Sequence, residues 1–178
     1  MTPLIQQDTP PPFPGPALFE KASSLGRRLR ELDLTISTAE SLTGGLVSAA
    51  ITSVPGSSAY FLAGLNTYSN QSKYRLLEVP WVVLNTAGAV SPECARAMAS
   101  GVSRLIGSDL GLSTTGIAGP DGGSEVKPVG LVYVSLYGEG RHETKKEIFS
   151  GDRHTVAFLA VEAALDLLAR FLDERRPG

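Results

Sequence analysis

Residues 34–45 read LTISTAESLTGG, a strand pattern followed at once by a turn and a helix start. The first half, Leu34 to Thr38, is a short run of apolar and β-branched residues, which favours a buried strand. The second half ends in Gly44-Gly45, after which Leu46 begins a short helical pattern. A buried strand that leads through a short turn into a helix is typical of α/β proteins.

Sequence patterns on both sides of this stretch continue the alternation of helices and strands. Ser91-Pro92 is typical of a helix start, and Gly107 of a helix end. Two strands then follow each other directly, and the second is polar, so we expect it at a sheet edge. The pattern predicts a three-layer α/β/α sandwich with a mixed central sheet. The predicted elements are helices near residues 18–32, 46–50, 73–77, 92–106 and from about 152, and strands at 34–38, 61–68, 110–115, 131–137 and 143–149.

The length and composition favour one globular domain. The chain has 178 residues, of which 42% are hydrophobic, so it can bury a core. We expect a single domain at residues 17–178, preceded by a proline-rich tail at residues 1–16. The tail is expected to be disordered; an ordered arm against a partner subunit is the alternative.

The composition also argues against several functional classes. The net charge of −2, without a basic stripe, argues against nucleic-acid binding. The sequence shows neither an apolar run of about 20 residues nor a secretory leader, so we expect a cytoplasmic protein that does not bind membranes. Cys94 is the only cysteine and is expected to be a packed thiol. His142 and His154 lie apart without metal-ligand spacing, so no metal or other cofactor is expected.

Three unusual segments follow predicted strands, at residues 38–45, 67–73 and 115–123. Ligands of open α/β sheets bind beyond the carboxyl ends of the strands. The three segments are therefore expected to meet at one site.

The first segment contains Ser41 and Thr43 before the helix start at Gly44-Gly45. Free N–H groups at such a start can bind an anion or stabilise the oxyanion formed when a hydroxyl attacks a carbonyl. Ordinary helix capping by Ser and Thr explains the same residues without any chemistry. Both interpretations are open on local pattern alone.

The second segment ends in Lys73, a candidate base for a serine nucleophile. An unperturbed lysine has a pKa of about 10.4 and is charged at neutral pH, so burial or a neighbouring cation must lower the pKa. An exposed lysine at a helix start is the alternative.

The third segment is a glycine-rich loop that begins at Thr115 and is followed by Lys127. Its N–H groups are candidates for binding a phosphate or a ribose, and a surface loop is the alternative. Arg153 lies in the first turn of the last helix, where a cation opposes the helix dipole. That placement indicates an anionic partner, either a substrate phosphate or a carboxylate.

The ordered motifs resemble one known family. TAESLTGG at residues 38–45 is similar to the TAESxTGG signature of the C-terminal domain of CinA, the competence/damage-inducible protein. Five further blocks match in order, and the resemblance covers about residues 17–174. These blocks lie at residues 54–58, 67–70, 88–91, 115–120 and 127–130.

The resemblance implies a nicotinamide mononucleotide deamidase of pyridine-nucleotide salvage that needs no metal. It places the catalytic serine on Ser41 and the lysine on Lys73. It also implies a homo-oligomer, a dimer or higher. Tyr68 is expected either beside the pyridine ring or in ordinary packing. The expected substrate-binding residues are Thr43, Gly44, Gly45, Tyr68, Thr115, Gly116, Gly119 and Arg153.

Two positions depart from the family pattern. Leu42 stands where many members carry cysteine, and Asp121 where glycine is frequent. The chain also resembles the stand-alone deamidases, without the larger domain that precedes this module in full-length CinA. A nucleotide-sensing module without turnover and an amidase for a different small amide are the alternative functions.

Overall fold

The centre of the molecule is a five-stranded mixed sheet, and the computed structural model describes residues 13–175. The strands are β1 (Ile36–Glu40), β2 (Phe61–Asn66), β3 (Leu110–Gly116), β4 (Leu131–Gly138) and β5 (Arg141–Ile148). The helices are α1 (Pro16–Glu31), α2 (Leu46–Thr52), α3 (Asn70–Leu77), α4 (Trp81–Thr86), α5 (Pro92–Ile106) and α6 (Arg153–Asp173), and a 3-10 turn lies at Ser57–Ala59. Residues 1–12, most of the expected tail, lie outside the described residues, and α1 begins at Pro16.

The sheet has the strand order β2-β1-β3-β4-β5. β1 runs parallel to both β2 and β3, whereas β4 pairs antiparallel with β3 and β5. The polar strand β5 is an edge strand, as the sequence predicts.

Helices cover both faces of the sheet. α1, α2 and α6 pack together on one face, and α5 packs on the other face with α3 and α4 against it. A hydrophobic cluster fills each interface, the larger one around Leu29, Val161 and Phe171 and the smaller one around Leu77 and Met98. The predicted three-layer α/β/α sandwich with a mixed sheet is confirmed.

Several element boundaries differ from the sequence prediction. β1 continues to Glu40, so the residue before Ser41 is still in the strand. β2 ends at Asn66, and α3 begins at Asn70. The sequence does not predict helix α4, because its six residues are too few to show a helical period and only Leu84 is buried.

The helix ends follow the expected chemistry. Ser91 Oγ accepts a hydrogen bond from Cys94 N at 3.1 Å at the start of α5, and Gly107 ends that helix with a φ of 77°.

The parallel strands bring their carboxyl ends to one edge of the sheet. Glu40, the last residue of β1, lies opposite Asn66 of β2 and Thr114 of β3. The segments that follow these three strands therefore start side by side, and α3 leads away from the segment after β2. This edge is the one where α/β proteins bind ligands.

Gly111 allows α5 to pack closely on β3. A Cβ atom at this position would lie 2.0 Å from the backbone oxygen of Ala99. We expect Gly111→Ala to lower the free energy of unfolding by about 3 kcal/mol, because neither backbone can move without disturbing the core. Gly15→Ala is the control, since no atom lies within 4 Å of a Cβ there, and it should cost about 1 kcal/mol or less. Equal denaturant midpoints for the two variants would contradict this account of the packing.

Candidate active site

Ser41 and Lys73 meet at the carboxyl edge of the sheet. Ser41 is the first residue after β1, and its N–H donates to Thr114 O at 3.1 Å, which holds it beside β3. Lys73 lies on α3, and its Nζ is 3.0 Å from Ser41 Oγ. Although 32 positions separate the two residues, the short connection from β2 into α3 brings the Lys73 amine to the Ser41 hydroxyl.

The Lys73 amine is buried with oxygen acceptors and without a counter-ion. Its side chain is 1% exposed. Besides approaching Ser41, Nζ donates to Thr67 O at 2.6 Å and to Tyr68 O at 3.2 Å. Among residues 13–175 no carboxylate lies within 4.0 Å of this nitrogen. Burial lowers the pKa of Lys73 below its ordinary value, and the smaller influence of Cys94 acts in the opposite direction.

Cys94 lies near the pair but is a packed thiol. It is fully buried in the first turn of α5, in the smaller hydrophobic cluster. Burial raises the pKa of the Cys94 thiol to about 11, against the opposing influence of Lys73 and Lys127. The expectation of a packed thiol is confirmed by this burial, and a thiol whose pKa is raised is protonated at neutral pH.

A pocket of about 190 Å³ opens over the pair. Ser41 and Lys73 form part of its wall, and four other predicted residues line it with them: Tyr68, Thr115, Gly116 and Arg153. The remaining lining residues, to which the sequence assigned no role, are Leu42, Ala89, Val90 and Ala118. Larger concavities occur elsewhere, such as one of about 480 Å³ beside Tyr74, Arg75 and Glu78, but they hold neither Ser41 nor Lys73.

Two hydrogen bonds hold the wall that Ala89 and Val90 form. Thr115 Oγ1 donates to Ala89 O at 2.7 Å, and Lys127 Nζ donates to Ala87 O at 2.6 Å. Lys127, which follows the glycine-rich loop in the sequence, thus holds this wall through its hydrogen bond to Ala87 O. The family-like block at residues 88–91 was the signal that could have identified the wall.

Arg153 lies at the rim of the pocket as the first residue of α6. Its guanidinium donates to Tyr68 Oη at 2.8 Å and to Gly119 O at 3.1 Å. Within residues 13–175 no carboxylate pairs with Arg153. Both contacts are therefore neutral oxygens, and the positive charge remains available to an anion at the rim.

Thr43, Gly44 and Gly45 do not line the pocket, which differs from expectation. Gly45 N donates to Glu40 Oε2 at 3.0 Å, and Thr43 Oγ1 donates to the same oxygen at 2.7 Å. Gly44 N donates to Ser41 O at 3.3 Å. The expectation that the start of α2 offers free N–H groups needs correction, because a carboxylate of the chain itself occupies that start.

The backbone of Gly116 offers a donor on the side of Ser41. N–H groups along an antiparallel strand point alternately toward and away from the partner strand. Ile117 N donates to Leu131 O of β4 at 2.9 Å, so the N–H of Gly116 points the other way, toward β1. Since β1 ends at Glu40, this N–H lies beyond the strand, at the pocket that Gly116 lines.

Residues 13–175 contain neither a metal site nor a membrane-spanning helix. No group of three or more of their His, Cys, Asp or Glu side chains is arranged to hold a metal ion. None of their helices is both long and apolar enough to cross a bilayer.

Solved structures similar to this fold come from several bacteria. A competence/damage-inducible protein from Agrobacterium tumefaciens is 37% identical with a TM-score of 0.87, covering 91% of this chain and 98% of that one. A competence damage-inducible protein A from Klebsiella pneumoniae is 34% identical with a TM-score of 0.86, covering 89% of this chain and 99% of that one.

The sequence is also similar to curated proteins and matches the description of one protein family. A CinA-like protein from Citrifermentans bemidjiense is 51% identical over 161 residues, which are 89% of this chain and 39% of the relative. One from Geobacter sulfurreducens is 50% identical over 150 residues, which are 84% of this chain and 36% of the relative. The chain thus spans less than two fifths of the length of these relatives. The description of the CinA C-terminal domain matches residues 19–172, and the chain therefore belongs to the CinA C-terminal domain family.

Proposed function

We propose that the chain hydrolyses the carboxamide of nicotinamide mononucleotide, giving nicotinic acid mononucleotide and ammonia in pyridine-nucleotide salvage. The observation that carries this proposal is the 3.0 Å contact between Ser41 Oγ and the buried Nζ of Lys73. The two residues are those to which the family resemblance assigns nucleophile and base. A hydroxyl beside an amine of lowered pKa is a nucleophile with its base in place.

The neutral amine of Lys73 starts the first half-reaction. Its two N–H groups donate to Thr67 O and Tyr68 O, which directs the lone pair at Ser41 Oγ. Nζ takes the hydroxyl proton as Ser41 Oγ bonds to the carboxamide carbon. The resulting ammonium returns that proton to the amide nitrogen, the C–N bond breaks and ammonia departs, leaving an acyl ester on Ser41.

Water completes the cycle through the same pair. Lys73 removes a proton from water, and the hydroxide attacks the ester carbon. The C–O bond to Ser41 breaks, Oγ regains the proton from Nζ, and the carboxylic acid product leaves.

The oxyanion of each tetrahedral intermediate needs a donor close to Ser41. Gly116 N–H meets this requirement by its direction and its place on the pocket wall. The N–H groups of Gly45 and Val47 do not, since both donate to Glu40. We therefore assign the oxyanion contact to the β3 side of the pocket.

Arg153 is the proposed phosphate anchor. Its guanidinium lies at the rim of a pocket of about 190 Å³ and has only neutral oxygen partners among residues 13–175. A guanidinium forms strong paired hydrogen bonds with phosphate oxygens. Binding the phosphate at the rim orients the carboxamide toward Ser41, so contacts remote from the reacting bond promote the reaction.

Ser41→Ala should lower ammonia release from nicotinamide mononucleotide by at least about 10³-fold, because it removes the atom that forms the acyl ester. The measurement is ammonia production under saturating substrate. Ser58→Ala, at an exposed serine, is the control and should keep the wild-type rate. Equal rates for wild type and Ser41→Ala would reject the mechanism. Tight binding of the mononucleotide by a wild type that releases no ammonia would support the sensing module instead.

The pH dependence of kcat/KM should follow the neutral fraction of Lys73. That fraction grows as pH rises through the pKa of the amine. Since burial lowers this pKa below its ordinary value, the rate should rise as the pH passes through the lowered pKa. Lys73→Met should lose the rising limb together with most of the activity. An unchanged pH profile in Lys73→Met would exclude the amine as the base.

Arg153→Gln should raise KM for the mononucleotide more than it lowers kcat, because it removes the cation assigned to the phosphate. The matched comparison is nicotinamide riboside, which lacks the phosphate and whose KM should hardly change. Arg170→Gln, at an exposed position of the same helix, is the control variant. Equal losses on both substrates would show that Arg153 does not contact the phosphate.

A further inference from the structure

Glu40 places a carboxylate in the interior directly before Ser41. The residue is 1% exposed. Its Oε2 accepts hydrogen bonds from Thr43 Oγ1 at 2.7 Å, Gly45 N at 3.0 Å and Val47 N at 3.0 Å. Its Oε1 accepts from Ser48 N at 2.8 Å and from Ser48 Oγ at 2.6 Å. Residues 40–48 thus fold around one carboxylate.

This carboxylate has no cation partner among residues 13–175. A buried carboxylate is costly unless hydrogen bonds replace its hydration. Here five neutral donors replace the hydration of the carboxylate, and they include N–H groups at the start of α2, where the helix dipole favours a negative charge. The seven residues of α2 are a short helix, and a serine or threonine suffices to cap a helix start. The five hydrogen bonds to the Glu40 carboxylate are more than the capping of this short helix requires.

The same residue is connected to both members of the catalytic pair. Its backbone oxygen accepts from Thr67 N at 2.9 Å, and Thr67 O accepts from Lys73 Nζ at 2.6 Å. On the other side, Thr43 Oγ1 also lies 2.7 Å from Thr114 Oγ1, and Thr114 O accepts from Ser41 N. The carboxylate therefore joins the turn that contains Ser41 to β3, and its backbone oxygen joins β1 to the segment that holds Lys73.

We infer that Glu40 is a positioning residue whose carboxylate holds the turn at residues 41–45, and with it Ser41 Oγ, at Lys73 Nζ. This inference rests on the proposed function. Glu40 does not line the pocket and contacts no reacting atom. Its effect on the reaction passes through the direction of the Ser41 side chain.

The hydrogen-bond pattern requires a carboxylate of this length. All five partners donate, and an ionised carboxylate only accepts. The amide nitrogen of a glutamine would face donors at either of the two oxygen positions. An aspartate would keep the charge but is one methylene shorter, so it cannot reach α2 with the same turn.

Glu40→Gln should lower kcat by about 10²-fold, the loss typical of a misplacement of about 1 Å, and leave KM nearly unchanged. Glu40→Asp should also lower kcat with the same split, since the shorter side chain does not reach α2. The control is Ser37→Ala on the same strand. This variant removes a buried 2.6 Å hydrogen bond to Ser108 Oγ, near the start of β1 and away from the turn. It should lower the stability of the protein without lowering kcat. Activities are compared well below each melting temperature, per folded molecule.

Wild-type kcat in Glu40→Gln, or the same loss in Ser37→Ala, would overturn the inference, because either would show that the carboxylate only stabilises the fold. If Glu40→Gln does not fold, Thr43→Val replaces it. That variant removes one of the five donors and should show a smaller loss of kcat with the same KM.

A crystal structure of the variant separates the inference from the proposed function. The Ser41 Oγ to Lys73 Nζ distance should exceed the wild-type 3.0 Å by about 1 Å or more in Glu40→Gln. An unchanged distance would overturn the positioning role even if the wild type released no ammonia. If the Ser41 Oγ to Lys73 Nζ distance lengthens in the variant but the wild type releases no ammonia, only the proposed function is rejected.

Discussion

The buried amine of Lys73 is the interaction on which the site depends. An ammonium in this place would keep its charge away from water with only backbone oxygens and a hydroxyl around it. Removing an ion from water costs several kcal/mol, and the absence of a carboxylate partner leaves much of that cost uncompensated. The result is a lowered pKa, which suits the proposed role of Lys73 as the base for Ser41. In the proposed mechanism, the stability lost by burying Lys73 is linked to the reactivity of Ser41, as is common at functional sites.

The fold supplies the geometry that this amine requires. Parallel pairing of β1 with β2 and β3 sets three chain segments side by side at one edge of the sheet. The segment after β1 holds Ser41, the proposed nucleophile; the one after β2 leads to Lys73, the proposed base; and the one after β3 completes the pocket. The carboxylate of Glu40 accepts hydrogen bonds from N–H groups at the start of α2, so these groups are not available to a substrate.

The sequence predicts the layers of the sandwich and the edge strand, because hydrophobic period and helix caps are local signals. It also predicts that the three segments after the strands meet at one site. The sequence also indicates Ser41 and Lys73 as candidates, although local pattern alone leaves capping and an exposed lysine as alternatives. Their 3.0 Å contact depends on pairing between distant strands, which periodicity does not encode. The burial of the Glu40 carboxylate could not be predicted for the same reason: a glutamate at a strand end gives no local sign that it turns inward. Helix α4 and the wall at Ala89 and Val90 were too short to give a periodic signal.

The most direct measurement of the central claim is the pKa of Lys73 itself, obtained by NMR titration of ¹³C-labelled lysine side chains and assigned by comparison with Lys73→Met. We expect one lysine signal that titrates below the ordinary lysine pKa of about 10.4, because burial lowers the pKa of Lys73, and that is absent from the variant. A Lys73 signal that titrates together with the exposed lysines would show that the amine is an ordinary ammonium at neutral pH. It would contradict a mechanism in which that amine takes the proton of Ser41.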